Sequence, residues 1–423
     1  MSDKRPAPPA AKPDAARKGA LKLLRAVMME GQALWQAESR VAQLPAPDRA
    51  RAQRLAAATL RRIGPADAVL APLMKRPPAP EVALILYLAV TELSLGEAPH
   101  GVVNAAVTLA RADRRSAGAA GMVNAVLRRL PADPLAGQAA QELPEWLRAP
   151  LADAWGIAAV EGIEAAHAQT PPVDLTVRSG CQPPPGSESL PSGSFRMAPG
   201  QQISALPGYA TGDWWVQDAA AAMAAPLLAA QPGEDVLDLC AAPGGKTLQL
   251  AATGATVTAL DISEPRLARL RENLTRTGLK ARVIAADALE WQPGQQFDAI
   301  LLDAPCSATG TIRRHPDLPF IKAEADLESL TALQAALIDR ALDWLKPGGR
   351  MVFCTCSLLP EEGELQMAAA LSRHPGLSVI PPALPGIEPG WITAQGGLRL
   401  RPDYWPDRGG MDGFFMACLR KPA

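Results

Sequence analysis

Apolar residues recur at three- and four-residue intervals through the first third of the chain, and this spacing predicts an all-helical domain over residues 16–135. Prolines at 77–80 and at 99 separate the apolar stripes, as is typical of short connections between helices. The stripes consist of Leu21, Leu24, Val27, Met28, Leu84, Leu88, Val90, Leu93, Val102, Val103, Ala106, Val107, Leu109, Ala110, Met122, Val123, Val126, Leu127 and Leu130.

The pattern changes from residue 206, where short β-rich runs alternate with helical ones. This alternation predicts an α/β domain over residues 206–423, with a mostly parallel sheet covered on both faces. Helices are predicted at 264–277 and 327–345. The predicted strands are 236–240, 257–261, 283–287, 299–303, 351–354 and 414–419.

The remaining segments carry weaker patterns. Four prolines and the lack of periodicity predict a flexible tail over residues 1–15. Residues 136–205 are predicted to be a connecting region, with a short helix at 144–155, a strand at 173–178 and a loop at 181–193 that is rich in Pro, Gly and Ser.

Charge is distributed unevenly along the 423 residues, although the net charge is −1. Residues 1–140 carry 20 Lys and Arg against 11 Asp and Glu, whereas residues 141–423 carry 22 against 32. The basic front half favours an anionic partner, with nucleic acid first, although a solvated helical surface without a partner gives the same pattern.

The composition limits the cellular location and the kinds of partner that we expect for the protein. No apolar run reaches the roughly 18 residues that a membrane-spanning helix needs, and the N-terminus has no apolar signal segment. Six widely spaced cysteines do not form a disulfide framework, so we expect free thiols and a cytoplasmic protein. We further expect a monomer without membrane or metal partners.

The sharpest motif is D-L-C-A-A-P-G-G-K-T at residues 238–247, between a predicted strand and a predicted helix. Its glycines allow a ligand to approach the backbone closely. It nearly matches a phosphate-binding loop, but Cys240 replaces the first glycine and Pro243 removes an N–H group. A nucleotide triphosphatase and a simple tight turn therefore remain alternatives to a site for another ligand.

Acidic residues follow the next strands. Because ligands of α/β sheets bind beyond the carboxyl ends of strands, we expect Asp238, Asp261, Asp287 and Asp303 along one edge of the sheet. Asp261 stands where an acid binds a ribose diol in dinucleotide folds. With Asp287 placed near an adenine edge, the set suits an adenosyl ligand with little phosphate, although each Asp alone could cap a strand end.

Two cysteines follow the fourth and fifth strands, Cys306 in D-A-P-C-S-A-T-G and Cys356 in T-C-S. If these strands are neighbours, both thiols face one substrate, and a cation such as Lys246 could activate a thiolate nucleophile. Free cysteines are also commonly small buried hydrophobic residues, which we expect of Cys354. A zinc site would need Cys354, Cys356, Cys306 and His315, but paired ligand spacing is missing.

The motifs at 238–247, 303–310 and 355–362 together resemble those of the RsmB/Sun family of RNA 5-methylcytosine methyltransferases. The helical segments P-H-G-V-V-N-A-A-V and G-M-V-N-A-V-L-R-R are similar to the NusB-like domain of its bacterial 16S rRNA member. The resemblance implies a Rossmann-like methyltransferase with a seven-stranded sheet, preceded by a NusB-like RNA-binding domain. It therefore implies RNA as the partner, most plausibly small-subunit rRNA.

The resemblance also implies residue roles. Cys356 would attack carbon 6 of a cytosine, Cys306 would assist proton loss or product release, and Asp303 would hydrogen-bond the base. Lys246 would complete the catalytic set. Phosphates of the RNA would meet Arg111, Arg114, Arg115, Arg128 and Arg129 in the front domain, and Arg313 and Arg314 with His315 after the Cys306 loop. S-adenosylmethionine would be bound by Cys240, Ala241, Ala242, Pro243, Gly244, Gly245, Lys246, Asp261, Asp287 and Asp303.

Departures from the family pattern leave rival functions to test. The family's small RNA-binding subdomain usually reads L-R-x-N, but here the run is L-T-V-R-S at 175–179, so residues 136–205 are expected to hold a linker or a reduced subdomain. A catalytically inactive RNA-binding factor would not need two thiols at strand ends. A DNA cytosine methyltransferase would use Cys306 as its nucleophile and would carry a target-recognition domain, which we do not find.

Overall fold

A computed structural model describes residues 14–423. Most of the predicted flexible tail, residues 1–13, lies outside the described residues. The first helix begins at Ala15, one residue earlier than predicted. The side chain of Asp14 caps this helix by accepting the N–H groups of Ala16 and Arg17 at 2.8 and 3.3 Å, which satisfies two of the donors that a helix start leaves unpaired.

The first of two compact units comprises the described residues up to Pro144 together with His315–Lys322. It is all-helical, as predicted. Prolines at the first turns of three of its helices start them where the sequence breaks between apolar stripes, because proline is tolerated there. Its helices are α1 (Ala15–Glu30), α2 (Leu34–Ala37), α3 (Ala46–Leu60), α4 (Ile63–Leu70), α5 (Pro80–Ser94), α6 (Pro99–Ala112), α7 (Ala120–Leu127) and, from later in the chain, α14 (Leu318–Ile321).

The predicted apolar stripes form the core of this helical unit. Leu23, Leu24, Leu86 and Val90 are among its fully buried side chains. Helix α5 is buried over most of its circumference, which explains its dense apolar stripe.

The second unit comprises Glu145–Arg314 and Ala323–Ala423. It begins with α8 (Glu145–Trp155) and α9 (Ile157–Ala168). An antiparallel sheet in the order β2-β3-β1-β4 follows, so residues 136–205 are more than a linker. The sequence hides this sheet because its strands are short and lie between turns. They are β1 (Val173–Val177), β2 (Glu188–Ser189), β3 (Phe195–Met197) and β4 (Trp214–Val216), which extends past the predicted boundary at 205.

A second, larger sheet is the framework of this unit, and its predicted, mostly parallel arrangement is confirmed. Seven strands run in the order β10-β12-β9-β8-β5-β6-β7, and β11 adds an eighth beside β12. The pairs among β5 to β9 are parallel, whereas β12 is antiparallel to its neighbours. The strands are β5 (Asp235–Leu239), β6 (Thr256–Asp261), β7 (Arg282–Ala285), β8 (Phe297–Asp303), β9 (Leu345–Thr355), β10 (Ser378–Ile380), β11 (Leu398–Leu400) and β12 (Phe414–Arg420).

Helices cover both faces of this sheet because its strands are apolar on both sides. Leu237 and Leu239 of β5 belong to the core cluster on one face, and Val236 to the cluster on the other. Besides α8 and α9, the helices of this unit are α10 (Ala219–Ala222), α11 (Ala224–Leu228), α12 (Gly245–Ala252), α13 (Glu264–Thr277), α15 (Leu327–Trp344) and α16 (Glu364–Arg373).

Several predicted strand ends differ from the structure, most of them by one or two residues. Strand β7 stops at Ala285, so Asp287 lies in the turn beyond it rather than at its last position. Strand β9 begins at Leu345 and is longer than predicted. Across residues 14–423, none of the helices has both the length and the apolar character needed to span a bilayer.

Candidate active site

The segment at residues 240–246, which we call the glycine turn, connects β5 to α12. Cys240 and Gly244 both have positive φ, at 60° and 108°, which reverses the chain within a few residues. A Cβ at Gly244 would lie 2.8 Å from Cγ of Leu270, so only glycine lets the turn pass this close to α13. Cys240 thus adopts a φ that is uncommon for non-glycine residues, at the position where a phosphate-binding loop has its first glycine.

Asp238 does not lie at the sheet edge, contrary to the sequence-based expectation. It points into the interior of the unit from within β5 and is fully buried, where Oδ2 accepts a hydrogen bond from the hydroxyl of Thr247. Its Oδ1 atom has no hydrogen-bond partner. Burial raises the pKa of Asp238 to about 7, because the charged form loses its hydration.

Asp261, the last residue of β6, and Asp287, in the turn after β7, both accept hydrogen bonds from backbone N–H groups. Asp261 accepts from Ala242 at 3.0 Å and from Ser263 at 2.8 Å, one on each carboxylate oxygen. Each oxygen keeps a second lone pair for a ligand hydroxyl. Asp287 accepts from the N–H of Leu289 at 2.8 Å. The glycine turn and Asp261 are therefore directly connected.

Lys246 pairs with Asp303. Its Nζ lies 2.8 Å from Oδ2 of Asp303 and 5.0 Å from the centre of the Phe414 ring. Burial opposes the charge of Lys246, but Asp303 and the nearby Cys354 thiol raise the pKa of the ammonium group overall. Cys354 is buried, as expected, and its Sγ lies 3.6 Å from the other oxygen of Asp303.

Cys306 and Cys356 lie on neighbouring loops, residues 304–310 and 355–362, which we call the thiol loops. Strands β8 and β9 pair in parallel, so both loops leave the same sheet edge. The two Sγ atoms are 3.5 Å apart. Hydrogen bonding to Cys356 and burial raise the pKa of the Cys306 thiol well above its usual value. Either sulfur can donate the hydrogen bond between them.

Backbone contacts fix the spacing of the thiol loops. The N–H of Gly310 donates to the carbonyl of Cys356 at 2.9 Å. A Cβ at Gly310 would lie 2.0 Å from the carbonyl oxygen of Gly413 and 2.9 Å from that of Cys356. Only glycine permits this close approach of three chain segments.

Sequence reasoning missed the buried polar residues that support these loops. Glu362, in the quoted motif at 355–362, is fully buried and hydrogen-bonds Ser307, the residue after Cys306. Gln334 of α15 joins the same group. One signal was available in the sequence: the motif ends in Glu361 and Glu362, directly after an apolar run. A carboxylate that is buried with such a run needs hydrogen-bond partners.

Arg313 does not have the predicted phosphate-binding role. Its side chain is 1% exposed, and its guanidinium pairs with the buried carboxylates of Asp218 and Asp412. Arg314 also pairs with Asp412 but is 39% exposed. The sequence could not reveal this network, because Asp218 and Asp412 lie about a hundred positions away on either side.

The five arginines predicted to bind RNA in the helical unit are all exposed: Arg111, Arg114, Arg115, Arg128 and Arg129. Three of them make weak contacts within the unit, at 3.2 to 3.3 Å. Their charges are therefore accessible to solvent. Across residues 14–423, no group of three or more His, Cys, Asp or Glu side chains is arranged to hold a metal ion, which leaves the alternative zinc set without support.

Comparison with known proteins matches both regions of the chain. The family model for 16S rRNA methyltransferase RsmB/F matches residues 225–420, and that for the NusB family matches residues 14–131. Ribosomal RNA small subunit methyltransferase B from Salmonella arizonae is 36% identical over 407 residues, which cover 88% of this chain and 91% of that protein. The protein of the same name from Vibrio cholerae is 46% identical over 224 residues, or 52% of this chain and 49% of that protein.

Among solved structures, a methyltransferase homologue from Pyrococcus horikoshii is 30% identical and has a TM-score of 0.54. The similarity covers 64% of this chain and 93% of that one. The first family match spans the glycine turn and both thiol loops, so the candidate site lies within the region that this family model matches.

Proposed function

This chain belongs to the RsmB/F family of 16S rRNA methyltransferases, and from that premise we propose that it methylates carbon 5 of a cytosine in small-subunit rRNA through a covalent adduct with Cys356. The observation that carries the proposal is the pair of thiols 3.5 Å apart beside the Asp303 carboxylate and Lys246. Two thiols at one site suit a reaction that forms a carbon–sulfur bond and then breaks it.

S-adenosylmethionine is the proposed cofactor, and the residues around the glycine turn fit it. Asp261 retains lone pairs for ribose hydroxyls, and Asp287 in the next turn can meet the adenine edge. Ile262, directly after Asp261, is 70% exposed and offers an apolar contact for a ring. When bound, the cofactor supplies the electrophilic methyl group that carbon 5 receives.

Cys356 is the proposed nucleophile. Its thiolate forms a bond to carbon 6 of the cytosine, which makes carbon 5 electron-rich. The base must leave any stack to reach Cys356 at the sheet edge. Lys246 and Asp303 form a fixed, hydrogen-bonded pair next to the thiols, and Asp303 is 30% exposed. Asp303 can therefore orient the base through its polar edge while Lys246 balances its charge.

Cys306 is proposed to assist the second half of the reaction. Release of the product requires transfer of the carbon-5 proton to solvent water, while the electrons of that C–H bond form the double bond between carbons 5 and 6 and Sγ of Cys356 leaves as a thiolate. Cys306 can hydrogen-bond that sulfur across 3.5 Å and stabilise it as the leaving thiolate. This division of labour predicts different behaviour for the two cysteine variants.

The test compares Cys356→Ala and Cys306→Ala with an rRNA fragment substrate. Cys356→Ala should abolish methylation and adduct formation. Cys306→Ala should accumulate a covalent protein–RNA species that survives a denaturing gel and disappears on nuclease treatment, and the double variant should not form it. An adduct in Cys356→Ala and none in Cys306→Ala would assign attack to Cys306, as in DNA-type enzymes, and would overturn the proposal.

The target itself can be found by bisulfite mapping of total RNA from cells with and without the gene. We expect one 5-methylcytosine of the small-subunit rRNA to disappear. Loss of a methylated cytosine in another RNA, with rRNA unchanged, would contradict the proposed substrate.

The exposed arginines of the helical unit are proposed to bind RNA phosphates. Neutralising Arg111, Arg114, Arg115, Arg128 and Arg129 should weaken RNA affinity for all sequences and reduce its salt dependence, because fewer counterions are released. The measurement is a series of RNA titrations at increasing salt. An unchanged salt slope would identify these side chains as a solvated surface only.

A further inference from the structure

We propose that Glu362 is a positioning residue for Cys306, holding the first thiol loop so that Cys306 can resolve the adduct on Cys356. The proposal rests on the proposed function and deepens it, because it assigns the release step to a side chain that neither attacks nor contacts the base. It arises from a buried carboxylate that the chemistry described above does not use.

The carboxylate of Glu362 is committed to the residue next to Cys306. Oε1 accepts the backbone N–H of Ser307 at 2.9 Å, and Oε2 accepts the Ser307 hydroxyl at 2.5 Å. Glu362 is 0% exposed. A buried carboxylate is costly unless donors surround it, and charge-assisted hydrogen bonds to such a group are short and directional. These two bonds therefore fix the position of Ser307 firmly.

Gln334 holds the other side of Cys306. Its Nε2 donates to Oε1 of Glu362 at 3.0 Å and to the carbonyl of Pro305 at 2.8 Å. Pro305 and Ser307 flank Cys306, so both neighbours of the thiol are attached to one buried group. The backbone of Cys306 is therefore held on both sides, and only its side chain can still rotate.

The same residue also ties the second thiol loop. The backbone carbonyl of Glu362 accepts the hydroxyl of Thr355, the residue before Cys356, at 2.9 Å. Ser307, Thr309 and Ser357 form a buried chain of hydroxyls between the loops, at 3.1 to 3.3 Å. Glu362 thus contacts both loops and fixes the distance between their sulfurs.

The charge of Glu362 acts in the same direction. Its proximity adds to the effects of Cys356 and burial that raise the pKa of Cys306, because two negative charges repel. The carboxylate therefore favours the neutral thiol form of Cys306, in addition to setting its place through the hydrogen bonds to Ser307.

The test measures decay of the covalent protein–RNA adduct in Glu362→Ala, in Glu362→Gln and in Cys306→Ala. Displacing a reacting group by about 1 Å can slow a step by about a hundredfold, so Glu362→Ala should slow release by about ten- to a hundredfold and accumulate adduct. In Glu362→Gln the amide oxygen can still accept from Ser307 N–H and its NH2 group can donate to the Ser307 hydroxyl, which should restore much of the release rate.

The control is Glu234→Ala. Glu234 pairs with Arg350 just before β5, at the end of the sheet opposite the thiols, so this variant loses a carboxylate ion pair without touching the site. It should release product as the wild type does. A destabilised but correctly arranged enzyme would lose total activity without accumulating adduct, which separates positioning from general stability.

Each outcome decides the proposal. If Cys306→Ala accumulates adduct and Glu362→Ala releases it at the wild-type rate, the positioning role is wrong while the proposed function stands. If Cys306→Ala itself accumulates none, the resolving role fails and the proposal falls with it. If Glu362→Ala does not fold, Ser307→Ala carries the test: it removes the bond to Oε2 and the hydroxyl contacts to Thr309 and Ser357, but keeps the backbone bond to Oε1. Slowed release supports the proposal and wild-type release overturns it.

Discussion

The glycine turn and the thiol loops leave the same edge of one sheet, but they are held in different ways. The glycine turn is fixed mainly by backbone conformation and by nearby groups, such as Asp261, 19 positions after Ala242. The thiol loops depend on side chains far apart in the chain: Glu362 of the second loop accepts from Ser307 of the first, 55 positions before it, and Gln334 of α15 joins them. A ligand-binding turn can therefore be written in a short motif, whereas a pair of reacting groups needs support from several parts of the chain.

The ion-pair network beside the thiol loops gives the largest expected effect of this difference. Arg313→Ala should lower the free energy of unfolding by about 3–5 kcal/mol, because it leaves the buried carboxylate of Asp218 without its ion-pair partner and Asp412 paired with Arg314 alone. Urea denaturation measures this change. Arg269→Ala, which removes an exposed arginine of α13, serves as the control and should have little effect. If Arg313→Ala and Arg269→Ala both lowered the free energy of unfolding by the same small amount, the region of the thiol loops would not depend on this ion-pair network.

On the cofactor side the expected effect is on binding. Asp261→Ala should weaken S-adenosylmethionine binding by about ten- to a hundredfold, since charge-assisted hydrogen bonds contribute about 1.5–3 kcal/mol. Calorimetry on the folded variant measures it. Asp298→Ala is a matched control: Asp298 also accepts a backbone N–H, from Asp235 at 2.9 Å, but at the opposite end of the sheet. Unchanged affinity in Asp261→Ala would remove this residue from the cofactor site.

The last expected effect, spread over several pH units, is a pH dependence on the same side. Because the pKa of Asp238 is raised from 3.8 to about 7 in the folded state, its contribution to stability is fully present below pH 3.8 and is lost as pH rises to 7. Asp238→Asn removes this dependence. The free energy of unfolding of the variant, relative to wild type, should therefore rise with pH by at most about 1.4 kcal/mol per unit between these limits.

Urea denaturation at pH 5, 6, 7 and 8 measures that difference, with the largest change below pH 7. A difference that stays constant with pH would mean that Asp238 is ionised in the folded protein. The glycine turn would then rest on a buried charge, and the contrast with the thiol loops would disappear.

The sequence predicted the features that depend on local pattern. Stripes of apolar residues gave the helical unit, and strand–helix alternation gave the mostly parallel sheet, because burial of one face or of both faces leaves a direct periodicity. The sequence placed both cysteines just after strands but left open whether those strands are neighbours; the parallel pairing of β8 and β9 brings their carboxyl ends to one edge. Of the small sheet after α9 only β1 was predicted, because strands of two to five residues between turns leave no such periodicity.

Only the tertiary structure decided which polar side chains are used internally. Arg313 has the sequence context of an exposed basic turn, yet it is buried by two acids from distant segments. Asp238 begins the motif at 238–247 but points into the core. Glu362 supports a loop that lies 55 residues before it in the chain. Residue type and spacing determine which groups can react, whereas desolvation and pairing, which depend on contacts across the whole fold, determine which of them remain available.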